Sequence, residues 1–245
     1  MSLQQTTNQS SNLSPAVPST RNAWLYWVLA NAVGHIAGIS AFGIVSLFVT
    51  WGGSGDIGAL FDLALPFAVL GLLDGLLVGL AQGLVVQHFT GRPLLGEWAL
   101  FTALGGIAAW VLGILVGGLT IMIIGILFYI AAGGIAGVLM GYAQRPTIQR
   151  HIDPQAGWII PNMLAGAVAV TAAIGFSSFW GNPENTGGIT GGVEIIILAV
   201  GLGGLIYGAI TARSFATMLD FHAARASYGS EEPREDVTKL PVRRA

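Results

Sequence analysis

Two residues carry titratable groups where the surrounding sequence is otherwise apolar. Asp74 sits near the middle of one long apolar stretch, and His35 lies at a similar depth in the stretch before it. A carboxylate in hydrocarbon costs about 2.5–3.5 kcal/mol on insertion scales, so it faces protein or water and takes a partner. If the two stretches run antiparallel, His35 and Asp74 reach nearly the same level. Three readings stay open: a buried hydrogen bond that fixes register, a proton or cation site, or two residues that never meet. The second draws on an imidazole that titrates near neutrality. His35 as an axial ligand to a haem or chlorophyll-type pigment is a further alternative, resting on a single histidine. The expectation is that no cofactor is bound.

Other polar residues gather where apolar stretches end. Gln82, Gln87, Gln144 and Gln149 fall close to Arg92, Arg145, Arg150, His88 and His151. They read either as ordinary interfacial polarity or as a polar ring that docks a lipid headgroup or a partner protein. Glu97 is expected to pair with Arg92 or to cap the helix that Trp98 opens. Asp56, Asp62, Glu184 and Glu194 lie toward the other ends of the stretches and read as solvated charge. No zinc-protease, nucleophile-elbow or phosphate-loop motif is present, so the chain is not expected to be an enzyme. It has no cysteine and a net charge of −2, which leaves no thiol chemistry and no basic footprint for nucleic acid.

The elements that must position these residues are hydrophobic spans. Of 245 residues, 53% are hydrophobic and 9% charged, against about 25% charge in a soluble domain; the mean hydropathy is +0.72. Six windows are long enough for a bilayer: 23–49, 63–88, 97–119, 121–143, 158–180 and 191–213. The third and fourth nearly merge, and a tight hairpin is expected at Gly117-Gly118-Leu119-Thr120. Continuous apolar runs exclude the short alternating segments of a membrane barrel. The expected fold is therefore an all-α integral membrane protein of six transmembrane helices. The lipid bilayer is its first partner.

All ten basic residues fall on one side, from Arg21 through Arg92, Arg145 and Arg150 to Arg213, Arg225, Arg234, Lys239, Arg243 and Arg244. The positive-inside rule places that side, and both termini, in the cytoplasm. Trp24, Trp27, Trp98 and Trp158 on that side, with Trp51 and Trp180 opposite, read as aromatic belts. Residues 1–20 read as a disordered polar tail, 21–214 as the six-helix domain, and 215–245 as a cytoplasmic tail starting with a short interfacial helix. The first apolar stretch is too long for a signal peptide and is expected to remain in the mature protein.

Self-comparison suggests three tandem hairpins, 23–88, 97–143 and 158–213. Gly71, Gly75, Gly79 and Gln82 match Gly133, Gly137, Gly141 and Gln144 at one constant offset, and Gly204, Gly208 and Thr211 form a fainter copy. Trp27-x3-Asn31, Trp98-x3-Thr102 and Trp158-x3-Asn162 open the odd spans. Glycines four apart make a groove that another backbone can enter; Gly83 extends the second-span groove, and Gly34 and Gly38 make a shorter one. Such faces suggest an accessory or scaffold subunit that packs within a membrane complex or with copies of itself. The alternative is a small-solute or proton-coupled ion transporter using His35 and Asp74.

Gly79-Leu-Ala-Gln82 through Arg92 to Trp98 resembles a group of multi-pass membrane proteins common in cyanobacteria and related bacteria, over about 75 residues of spans two to five. The resemblance implies a bacterial plasma membrane or a thylakoid and no particular activity. The three-hairpin plan is similar to that of mitochondrial carriers, but their Pro-x-Asp/Glu-x2-Lys/Arg signature is absent from the odd helices.

Overall fold

A computed structural model describes residues 22–49, 58–124, 126–152, 157–180 and 193–230. The expected N-terminal tail, Trp51, Asp56, Glu184 and the chain after 230 lie outside these residues. Six α-helices follow in order: α1 Ala23–Ser46, α2 Gly58–Thr90, α3 Leu95–Ile124, α4 Ile126–His151, α5 Ile159–Trp180 and α6 Val193–Ser230. All six are long and apolar enough to cross a membrane. Each packs against its neighbours in the chain, and α6 returns to α1, so the helices close into a ring.

The sides of α1 and α5 are sorted opposite to those of a soluble protein. Leu29, Val33, Ile36 and Ile44 of α1 are exposed at helical spacing, and Val33 reaches 60%. On the other side of α1, Trp27, Ala30, Asn31, Gly34 and Gly38 are buried. The same contrast recurs on α5, where Ile160, Leu164 and Val168 are exposed while Asn162, Ala165, Gly166 and Ala169 are buried. Large apolar side chains outside and, apart from Trp27, small or polar ones inside these two helices suit a hydrocarbon surround, in which helices associate by close backbone approach.

The glycines make that approach possible. A Cβ on Gly75 would stand 2.6 Å from the Thr102 carbonyl oxygen, and one on Gly79 would stand 2.8 Å from the Ala99 Cα. Gly71 meets Gly106 and Gly83 meets Leu95, so the whole α2 series lies on α3. Likewise Gly133, Gly137 and Gly141 lie on α5 at Gly166, Asn162 and Ile159, while Gly204 and Gly208 lie on α1 at Asn31 and Val28. Gly34 and Gly38 of α1 face Val78 and Asp74 of α2. In each pair one helix ascends as the other descends.

Two boundaries differ from the sequence expectation. Helix α3 runs through Gly117 and Gly118 to Ile124, and α4 starts at Ile126. Glycine costs a helix about 1 kcal/mol relative to alanine, less than backbone groups left unpaired in hydrocarbon, so the pair need not break the helix. Helix α6 continues past the sixth window to Ser230, 38 residues in all. Phe215, Met218 and Leu219 on this extension are almost completely buried. They join Trp27, Val86, Phe89, Trp98 and Ile148 of four other helices, and Trp158 just before α5, in one cluster.

Candidate functional site

Three tryptophans meet inside the ring at the end that carries the basic residues. Trp27, Trp98 and Trp158 are at most 1% exposed. Trp27 stands edge-on to Trp98 with centroids 6.0 Å apart and to Trp158 at 5.8 Å, and it stacks on Phe215 at 4.1 Å. These three indoles are core, which corrects the belt assignment; Trp24 and Trp180 do remain exposed. Hydropathy alone cannot say whether an indole near a helix end turns toward lipid or toward the axis.

A layer of hydrogen-bonding side chains lies beside the tryptophans, with one fully buried member from each helix: Asn31, Gln82, Thr102, Gln144, Asn162 and Thr211. The indole N–H of Trp27 donates to Thr211 Oγ1 at 2.9 Å. Trp98 donates to Gln82 Oε1 at 3.0 Å, and Trp158 to Gln144 Oε1 at 2.8 Å. Each odd helix thus uses its tryptophan to grip the neighbouring even helix that is not its partner in the proposed hairpin. Asn31 and Asn162 each donate to the carbonyl of the tryptophan four residues earlier, and so does the Thr102 hydroxyl. Gln82 Nε2 donates to Asn31 Oδ1 at 2.8 Å, and Gln144 Nε2 to Thr102 Oγ1 at 3.0 Å and to Gln82 Oε1 at 2.9 Å. The Tyr207 hydroxyl donates to Asn162 Oδ1. Every buried side-chain polar atom among the described residues has a partner.

His35 and Asp74 meet one turn beyond Asn31 along α1 and about two turns from Gln82 along α2. His35 Nδ1 lies 2.9 Å from Asp74 Oδ1, and with Asp74 ionised the imidazole N–H is the donor. The second carboxylate oxygen accepts from Trp110 Nε1 at 3.2 Å. His35 also stands edge-on to Tyr207 of α6, with centroids 6.4 Å apart. A side chain of α1 that touches both α2 and α6 points between them, toward the axis rather than the lipid. The His35 side chain keeps 21% of its surface accessible, against 7% for Asp74. The pair can therefore hold and pass a proton, with Trp110 steadying the carboxylate. Of the readings open in the sequence, non-meeting is excluded; register and proton roles both fit this geometry.

The four glutamines divide. Gln82 and Gln144 are bonded to each other, Gln87 is exposed, and Gln149 is half-buried beside Arg145. Glu97 does not pair with Arg92. It takes Arg150 at 3.2 Å, His151 at 3.1 Å and the Thr147 hydroxyl at 3.1 Å, tying the start of α3 to the end of α4. Glu194 is exposed, and Asp62 lies on α2. Among the described residues, no group of three His, Asp or Glu could hold a metal ion.

Sequence reasoning missed Trp110 and Tyr207. The signal was available for both: Tyr207 falls four residues before Thr211, and Trp110 is the one tryptophan distant from every helix end. No family model matches the chain, and no curated protein or solved structure matches it either.

Proposed function

We propose that the chain is a six-span membrane transporter for a small solute or ion, coupled to protons through His35 and Asp74. The observation that carries the proposal is the 2.9 Å His35–Asp74 contact on the inner side of the ring, about one to two helical turns from the hydrogen-bonded layer. Transport sites typically lie near mid-depth between repeated helical units. In this reading the tryptophan and glutamine layers close the path at the basic end, which lies in the cytoplasm with both termini. The aligned glycines, glutamines and tryptophans support an origin as three repeated hairpins, and the resemblance to cyanobacterial multi-pass proteins supports a bacterial membrane.

The scaffold reading rests on helix surfaces dominated by small residues, on short loops and on few polar groups within the spans. The glycine series of α1, α2, α4 and α6 pack within the chain, and the His35–Asp74 contact is what favours transport over the scaffold reading.

Reconstitution in liposomes tests it directly. With a pH gradient and a lumenal pH dye, the intact protein should dissipate the gradient faster than empty vesicles. Asp74→Asn should abolish that flux while eluting as the same folded species. Wild-type vesicles no leakier than empty ones across candidate counter-ions and solutes, or full flux from Asp74→Asn, would overturn the reading.

A further inference from the structure

The turn between α2 and α3 carries a feature that the axial path does not use. An open groove of about 530 Å³ is lined by Leu84, Gln87, His88, Gly91, Arg92 and Pro93. We propose that this groove binds the phosphate of an anionic phospholipid in the leaflet on the basic side. The inference rests on the chain spanning a membrane, and not on its transporting anything.

The order of the lining residues along α2 carries the argument. Leu84, 58% exposed, lies deepest in the membrane frame and presents an apolar surface suited to an acyl chain. Gln87 and His88, both exposed, lie one turn nearer the helix end and offer amide and imidazole hydrogen bonds. Arg92 lies beyond them at the turn. Apolar chain, polar glycerol region and phosphate follow the same sequence in a phospholipid crossing that depth.

The turn holds this order in place. Gly91 adopts φ +66°, a left-handed conformation that glycine enters without strain. Its N–H closes on the Gln87 carbonyl at 2.9 Å. The Arg92 N–H donates to Thr90 Oγ1, while its carbonyl accepts from the Leu94 N–H. His88 is braced edge-on against Phe89 at 4.9 Å and tilted toward Tyr26 of α1 at 6.2 Å.

Charge completes the case. The nearest acidic residue in the chain, Glu97, is engaged by Arg150 and His151. Among the described residues the Arg92 guanidinium has no ion pair. A guanidinium beside an imidazole and an amide presents the donors that a phosphate diester accepts.

The test uses the full chain, delipidated in mild detergent, with its thermal unfolding midpoint followed against added short-chain phosphatidylglycerol. The midpoint should rise and saturate, and Arg92→Gln should raise the half-saturating concentration about fivefold, the effect of one interfacial basic residue. Arg92→Lys should fall between the two, and Arg213→Gln, exposed at the same end, should titrate like wild type. Phosphatidylcholine and inorganic phosphate should each leave the midpoint unchanged. An unaltered titration of Arg92→Gln, or an equal response to phosphatidylcholine, overturns the proposal. A response to inorganic phosphate alone overturns the lipid assignment in favour of a free anion. If Arg92→Gln does not fold, His88→Gln and Gln87→Ala are read in its place by the same criteria. Proton flux measured on the same variants keeps this outcome separate from that of the transport reading.

Discussion

Gln144 and Gln82 are hydrogen-bonded at 2.9 Å although their helices, α4 and α2, are not neighbours in the ring. The bond crosses the interior behind α3. Gln82 Oε1 also accepts from Trp98, and Gln82 Nε2 donates to Asn31, so one side chain ties together four helices. In a membrane such bonds add little energy individually, about 0.6 kcal/mol on average. Their main effect is to exclude other arrangements, because each alternative register strands several buried donors.

Gln82→Leu should therefore cost more than one bond. It leaves the Trp98 N–H without its acceptor and the Asn31 oxygen without its donor, at about 1–3 kcal/mol for each orphaned group. Urea or SDS titration in micelles, followed by circular dichroism, should show a clear loss of stability. Thr211→Val removes only the Trp27 acceptor and the hydroxyl's own backbone bond, and should cost less.

Gly75→Ala and Gly79→Ala should each destabilise by about 1–3 kcal/mol, because the added carbon meets α3 backbone that cannot move independently. Gly96→Ala is the control. Nothing lies within 4 Å of its Cβ position, and alanine should gain up to about 1 kcal/mol from helix preference. The same micelle titration ranks the three.

His35→Leu should strand the Asp74 carboxylate with Trp110 as its remaining donor. Breaking a buried pair from one side costs about 3–5 kcal/mol, and the partial exposure of His35 sets the expectation at the lower end. The double variant His35→Leu with Asp74→Leu should be more stable than His35→Leu alone. Additive losses in that cycle would show that the contact carries no coupling.

Glu97→Gln should change little. Arg150 is 63% exposed at this contact, and exposed ion pairs contribute about 0–1 kcal/mol each. The small loss should shrink further as salt is raised, which distinguishes screened charge from packing.

The spans and their order could be read from hydropathy, because about 20 apolar residues in a row have few other uses. The common depth of His35 and Asp74 could also be read, although depth alone left open whether the two side chains meet. What hydropathy did not reveal was rotation about each helix axis. Trp27, Trp98 and Trp158 sit at helix ends, where an indole suits lipid and core equally well. Their Asn31, Thr102 and Asn162 companions four residues on were the indication of an inward face. The destination of the α2 glycines was hidden for a different reason. Four-residue spacing marks a groove without naming the helix that fills it, and the structure assigns it to α3 rather than to α1.

That assignment bears on how the molecule is made. The glycine series of α2 and α4 find their counterparts in the next helices to emerge during synthesis, so those seams can form in step with translation. The series of α6 must reach back to α1, the first helix inserted, and the circle stays open until the last one arrives. A chain ending before α6 would leave Val28 and Asn31 of α1 without the glycine face that covers them. Closure of the ring therefore waits for the last helix, although the earlier seams can form before it.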